Sequence, residues 1–344
     1  MPLRCKMNEI EINSFNISKE EWIALKKNSK NVKFTTVCCN QKCIPKTSKL
    51  GTQFFAHKSH SECTSAPETK EHLLAKEIIA KVAQKNGWGV KTEFEGQSQL
   101  GDKWIADVYC EKDNKKIVFE VQWSAQTAVE TKRRQNIYKQ SGIRTCWFMK
   151  TSKKKYYNFD EIEDTLEVPQ FGIGFDEIEK KFIITKFEIS LEDMVDGMLQ
   201  GKLKWSPKRG DVLKAKVVFG STLCWKCKKE INEILGLELE DKDKNKLGFL
   251  DFDYKRIAEL IKNNLEVKLC DANRIGEIKK SYSNTIKDYY IANRCYYCNS
   301  ILGNFYLHEA KKNDTPIKEF DVIYDQRLID CELFPKWYFI GKKN

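Results

Sequence analysis

The sequence contains no apolar run approaching the ~18 residues that cross a bilayer as a helix, which argues against a helical membrane span. No apolar core follows Met1, Pro2, Leu3, Arg4 and Cys5, so no secretory leader is expected and the chain is assigned to the cytoplasm. It also lacks a GxxxxGK[ST] phosphate loop, so ATP hydrolysis is not expected of it. Any strand opening would fall to a helicase, ATPase or recombination partner. No internal repeat or low-complexity tract interrupts the 344 residues, a length that suits two or three domains with sizeable cores.

What the chain does have is charge and cysteine. Charged residues make up 32% and the formal net charge is +11, a balance that favours polyanions, most simply nucleic acid, through phosphate contacts and counterion release. Thirteen cysteines in a chain without an expected leader point to metal ligands rather than disulfides, and an odd number cannot all pair. They cluster at two places: Cys38, Cys39, Cys43 and Cys63 early, and Cys224, Cys227, Cys295 and Cys298 late.

Hydrophobic periodicity divides the chain into four parts. Residues 1–65 form an N-terminal Cys/His-containing region. Residues 66–165 carry a helix from Thr69 to Lys85, with Leu73, Leu74, Ile78, Ile79 and Val82 on one face, ended by Gly87 and Gly89. Three strand-like runs follow (Val90–Phe94, Trp104–Tyr109, Lys116–Trp123), then a charged helix Gln126–Gln140 and a strand Arg144–Met149. A helix between strands implies a parallel crossover on a mixed sheet, so the order αβββαβ predicts an α/β layer. Residues 166–211 read as a connecting segment with a strand at Phe182–Phe187, a helix Leu191–Leu199 capped by Ser190, and a linker at Trp205–Gly210. Residues 212–344 form a C-terminal α+β zinc-knuckle domain that opens with a strand at Val212 and holds a helix at Ile257–Leu265.

Within the α/β part, Glu120 and Gln122 lie two apart on one strand and so face the same side. Asp107 on the preceding strand can share that space. Carboxylates converging at a sheet rim suit a hard divalent cation such as Mg²⁺ or Mn²⁺. On the leading helix, Glu71 can be aimed at such a cation, with His72 and Lys76 sharing a turn. On the charged helix, Arg134 and Tyr138 lie one turn apart and suit contact with a phosphate.

The ordered segments FFAHKSHSEC, ETKEHLLAK, GWGVKTE, WIADVY, KIVFEVQWSAQT and RRQNIYKQSGIRTCWFM, spanning roughly residues 35–150, resemble the competence protein CoiA family, itself similar to the PD-(D/E)XK nucleases. The resemblance implies a nuclease core of the same αβββαβ order. It also implies that Asp107, Glu120 and Gln122 take the metal-centre positions, with Glu71 as a further acidic ligand. Gln122 stands where the wider nuclease group has lysine. An amide cannot act as a base at neutral pH, so its role narrows to positioning water, with Lys76 as a stand-in for the missing charge. The expectation is a Mg²⁺- or Mn²⁺-dependent DNA endonuclease in competence-linked processing or antiphage defence. Its alternative is a non-cleaving DNA-binding or recombination-mediator protein on the same fold.

Cys224-x-x-Cys227 and Cys295-x-x-Cys298 have the spacing of two knuckles clamping one structural Zn²⁺. Cys39, Cys43, His57 and Cys63 form a second candidate zinc set, in which Cys38 competes for the first position and His60 with His57; the CoiA family often has another histidine where this sequence has Phe54. Trp225, Tyr296, Tyr297, Phe305 and Tyr306 flank the late knuckles and are expected to form the core of a small zinc domain, with the neighbouring lysines left to contact DNA.

Overall fold

Two units divide the chain after Leu203, and the computed structural model describes residues 2–58, 68–151 and 165–341. The first unit begins with strands β1 (Arg4–Met7) and β2 (Ile10–Asn13), helix α1 (Lys19–Lys27), and strands β3 (Phe34–Thr36), β4 (Cys43–Thr47) and β5 (Gln53–His57). Strands β2-β1-β3 make one small sheet, and β4 and β5 form an antiparallel hairpin. Ser18 and Glu21 close a reciprocal capping box on α1, satisfying two otherwise orphaned N–H groups. That helix sets Trp22 edge-on against Phe55, 5.2 Å between ring centroids, in a core shared with Cys5, Phe34 and Cys43.

The mixed sheet follows in the predicted order: α2 (Lys70–Lys85), β6 (Gly89–Gln97), β7 (Lys103–Lys112), β8 (Lys115–Gln122), α3 (Ala128–Gln140) and β9 (Arg144–Lys150). Thr69 and Thr127 cap the two helices through their side-chain oxygens. Gly87 and Gly142, just past the helix ends, take φ of +75° and +70°, the left-handed turn that glycine enters without a Cβ penalty. Strands β6, β7 and β8 are antiparallel, whereas β9 runs parallel to β8 across the α3 crossover.

Residues 166–199 do more than connect. Strands β10 (Gln170–Asp176), β11 (Lys181–Ile184) and β12 (Ile189–Ser190) extend the sheet to seven strands in the order β12-β11-β10-β9-β8-β7-β6. Helix α4 (Leu191–Leu199), capped by Ser190 as expected, packs on α2, and Asn86 Nδ2 donates to Asp196 Oδ1 at 2.8 Å. The fully buried face of α2 holds Leu73, Ala75, Lys76, Ile79, Ala80 and Ala83, so it is rotated from the apolar stripe read in the sequence. A lysine lies at its centre because two carboxylates wait for it there.

The second unit contains β13 (Leu203–Ser206, at the border), β14 (Val212–Leu223), β15 (Glu230–Glu240), β16 (Lys246–Asp251), α5 (Lys255–Asn264), α6 (Val267–Ala272), β17 (Ile278–Ser283), β18 (Asp288–Asn293), β19 (Lys311–Lys312), β20 (Lys318–Ile323), α7 (Gln326–Ile329) and β21 (Lys336–Phe339). The stretch expected to be a linker instead begins in β13, which pairs with β21. Strand β14 shows the period-two pattern of a half-buried strand: Leu213, Ala215 and Val217 are buried, while Lys214 and Lys216 point outward to Asp321 and Glu240. Helix α5 lays Ile257, Ala258 and Ile261 on this core. Strands β17 and β18 form a separate hairpin.

Candidate active site and metal centres

Asp107 and Glu120 lie on neighbouring antiparallel strands, one residue beyond the paired Val108 and Phe119. Asp107 turns its carboxylate into the ladder: Val121 N–H donates to Oδ2 at 2.9 Å, and His72 Nε2 from α2 lies 3.2 Å from the same oxygen. Burial alone would raise the Asp107 carboxyl, but His72, Lys76 and the Val121 amide together hold it well below the usual carboxylate range.

Glu120 is buried under α3. Tyr138 OH donates to its Oε1 in a short hydrogen bond, and Arg134 Nη2 donates to Oε2 at 2.7 Å. Desolvation and the neighbouring Asp107 charge push this carboxyl up to about 8, although Arg134 and Tyr138 pull the other way. The two carboxylates are therefore unlike: one is firmly anionic, while the other is held back from full ionisation by burial and like charge. A divalent cation held by these carboxylates would offset the like charge that Asp107 and Glu120 present to each other, and carboxylate oxygens are donors that suit Mg²⁺ or Mn²⁺.

The remaining predicted residues take less expected places. Gln122 Nε2 donates to Ser124 O at 2.9 Å and Ser124 Oγ at 3.1 Å, which leaves its carbonyl oxygen as the end to offer a water. Glu71 lies 3.4 Å from Lys70 Nζ, and it is the next residue, His72, that reaches Asp107. Lys76 is fully buried and bonds Glu68 at 2.9 Å and Glu93 at 2.5 Å. Offered in the sequence as a stand-in for the missing lysine charge, Lys76 here ties Glu68 to Glu93 in the interior. Tyr138 is only 1% exposed, and Ile105 O stands 3.1 Å from the hydroxyl whose one proton goes to Glu120. It cannot grip a phosphate; it holds Glu120. Arg134 is half-buried, its guanidinium 4.9 Å over the Trp147 ring and 3.2 Å from Gln126 Oε1, so much of its capacity goes to positioning as well.

Sequence reasoning assigned no role to Glu68, Glu93 or Gln135 and gave His72 none of its own. Gln135 accepts from Trp147 Nε1 at 2.8 Å and from the Thr145 hydroxyl, pinning α3 to β9. The available signal for His72 was its i,i+4 relation to Lys76, which put both on one face. Glu93 gave none, since its selection depends on a left-handed φ of +46° inside β6.

In the second unit, the four sulfurs of Cys224, Cys227, Cys295 and Cys298 lie within 4.8 Å of one another, with Cys224–Cys298 at 3.6 Å and Cys227–Cys295 at 3.7 Å. Tetrahedral thiolates at Zn–S distances of ~2.3 Å stand roughly 3.8 Å apart, so the site fits structural Zn²⁺. Both knuckles use the same turn. Lys228 N bonds Cys224 O and Asn299 N bonds Cys295 O, each at 2.9 Å, and Lys228 and Asn299 each take a left-handed φ. Burial raises the Cys224 thiol, but the Ser300 hydroxyl and the N–H groups of Cys227 and Lys226 bring it down to about 6, toward the thiolate a metal needs.

The N-terminal turn repeats this pattern with a changed ligand. Asn40 N bonds Thr36 O at 3.0 Å, Thr36 N bonds Gln41 O at 2.9 Å, and Asn40 has a φ of +52°, so Thr36 stands where the other knuckles have their first cysteine. The structure brings together Cys38, Cys39 and His57, with Cys39 Sγ 3.2 Å from His57 Nε2. It does not bring Cys43 among them. That thiol is buried in the core against Cys5, which accounts for its exclusion. Cys63 and His60 lie outside the described residues.

Residues 68–168 match the family model described as competence protein CoiA, nuclease-like domain. The resemblance to CoiA is therefore real. A solved structure described as a protein of unknown function, AF1548, is 16% identical, with 30% of this chain and 58% of that chain covered and a TM-score of 0.21. No curated protein matches the chain significantly. The CoiA-like stretch contains α2 to β9, and with it every residue that touches Asp107 and Glu120 above. No described helix is long and apolar enough to cross a membrane.

Proposed function

We propose that the chain is a divalent-metal-dependent nuclease acting on DNA, on a PD-(D/E)XK-like core with zinc-stabilised accessory regions. The observation that carries this reading is the carboxylate pair on adjacent strands, Asp107 held by His72 and the Val121 N–H and Glu120 by Tyr138 and Arg134, within a CoiA nuclease-like domain. When bound, Mg²⁺ or Mn²⁺ would polarise the phosphodiester and acidify a water. Asp107 and Glu120 would hold it, with Glu71, which precedes His72 on α2 and pairs with Lys70, as the further acidic candidate. His72 and the Val121 amide orient Asp107, while Tyr138 and Arg134 orient Glu120. Gln122 contributes an acceptor for the attacking water and carries no proton. Arg133, more exposed than Arg134, lines a pocket of about 400 Å³ with Lys103 and Trp104 beside Tyr138, a suitable place for a phosphate of the bound strand.

The Cys224/Cys227/Cys295/Cys298 set holds zinc in this reading, and Cys38, Cys39 and His57 a second ion, with Cys63 a candidate for the fourth ligand. Competence-linked processing and defence against foreign DNA are both served by such a nuclease. Linear, circular, branched and single-stranded DNA should be incubated with Mg²⁺ or Mn²⁺, in parallel with Asp107→Asn and Glu120→Gln proteins. Cleavage is expected from the wild type and a loss on the order of 10²-fold or more in each variant. Undiminished cleavage in either variant would overturn the assignment. Binding without cleavage under every metal would favour the non-cutting reading, whose support is that the Gln122 amide cannot take a proton.

A further inference from the structure

Among the described residues, every aromatic side chain that is exposed lies in the second unit; the exposed large hydrophobics of the first are all aliphatic. The flanking aromatics expected as zinc-domain core are among them: Trp225 is 62% exposed and Phe305 79%. Exposed rings cost solubility and contribute nothing to the core, so their gathering in one unit calls for a partner.

Three of them, Tyr289, Phe305 and Tyr306, line a trough of about 1100 Å³ between α5, the β17–β18 hairpin and the short turn Asn304–Glu309. Tyr289 and Tyr290 from the hairpin and Phe305 and Tyr306 from the turn supply its rings. Tyr289 is buttressed edge-on by Tyr282 at 5.0 Å, and Lys280 Nζ sits 5.5 Å from its centroid. Lys255, Lys262, Lys279 and Lys280 line the trough against two carboxylates, Asp253 and Glu259. Glu259 lies 3.9 Å from Lys255, and Lys279 is held by Glu277 at 2.8 Å.

We propose that this trough binds single-stranded DNA, its bases stacked on Tyr289, Phe305 and Tyr306 and its phosphates drawn by Lys262 and Lys280. Rings beside ammonium groups match the alternation of base and phosphate along an unpaired strand, whose bases expose both faces. A duplex hides those faces in its stack. The volume exceeds the roughly 300–1,000 Å³ that encloses a small ligand, so a run of nucleotides fills it better than a mononucleotide. Ile278, Ile286 and Ile291 add aliphatic wall, which suits the sugar and the thymine methyl, alongside the polar Ser283, Thr285 and Asn304.

The test uses the full chain carrying Asp107→Asn, without added Mg²⁺ or Mn²⁺, and a fluorescent oligothymidylate of roughly 12 nucleotides. Cleavage plays no part, so the outcome is independent of the nuclease reading. Replacing Tyr289 and Phe305 together by Ala is expected to weaken binding by on the order of tenfold or more, while Tyr289→Phe, which keeps the ring, binds as before. The matching oligouridylate should bind more weakly. Photo-crosslinking of an oligomer containing 5-iododeoxyuridine should place adducts at Tyr289, Phe305 or Tyr306. Unchanged affinity in the double variant with an unchanged melting profile, or adducts confined to residues 2–203, would overturn the proposal. Equal or tighter binding of oligouridylate would overturn the assignment to DNA.

Discussion

Glu120 shows how much one residue depends on its neighbours. Its two oxygens are held from α3 by groups on successive turns, so the carboxylate is fixed before any cation or substrate arrives. Tyr138→Phe removes the hydroxyl donor and little volume. The expected result is a protein destabilised by about 1 kcal/mol, with cleavage reduced at least several-fold, read by thermal melting and by cleavage rate. A different carboxyl contributes to the pH response of the second unit. Glu233 is 4% exposed on β15 and burial raises it to about 7. Its folded value exceeds the unfolded one, so its stabilising contribution is complete below the unfolded value and is lost as pH rises through about 7. Glu233→Gln should therefore stabilise the protein above pH 8 by on the order of 2 kcal/mol and change little at pH 5. Melting curves at the two pH values check it. No motif marks Glu233 in the sequence, because its environment comes from strands distant along the chain.

Elements were legible wherever periodicity and caps agreed. Thr69, Ser190 and the glycines at 87 and 142 announce helix ends, and α2, α3 and α4 lie where those signals put them. In the 166–199 segment the sequence shows one strand at Phe182–Phe187 but not its membership in the sheet, because that depends on β10 pairing with the remote β9 on one side and β11 on the other. Lys76 misled for a related reason. A lysine is an ordinary surface residue until Glu68 and Glu93 meet it in the interior, at which point pairing offsets its desolvation. At the start of β17, Gly276 reports another tertiary demand. A Cβ there would stand 1.9 Å from the Arg294 carbonyl oxygen. Gly276→Ala should cost on the order of 3 kcal/mol or more by shifting the strand ends that carry the second knuckle, seen as a lower melting temperature and weaker zinc retention.

At the scale of the whole molecule, three similar turns with left-handed residues at Asn40, Lys228 and Asn299 serve two units. The late pair brings four thiols together across a long insertion, so a single ion bound there would tie chain-distant segments to each other. Cys224→Ser, or zinc removal by a strong chelator, should unfold or loosen the second unit, measured as lost zinc content and lost protection from proteolysis beyond residue 204. Retention of one zinc equivalent per chain in Cys224→Ser would identify the ion held at Cys38, Cys39 and His57.

By itself the sequence determined what is local or repeated in pattern: the αβββαβ order, the helix caps, the spacing of the late knuckles, and the strand positions that bring Asp107 beside Glu120. Those follow from side-chain periodicity and turn chemistry, which act over a few residues. Only the tertiary structure decided which groups meet. It set His72 against Asp107, turned Tyr138 from a phosphate contact into a support for Glu120, put Cys38 rather than Cys43 beside Cys39 and His57, and left the knuckle aromatics facing water. Each of these depends on burial and on partners far along the chain, and a carboxylate, a phenol or a thiol changes its chemistry with the dielectric and the charges around it.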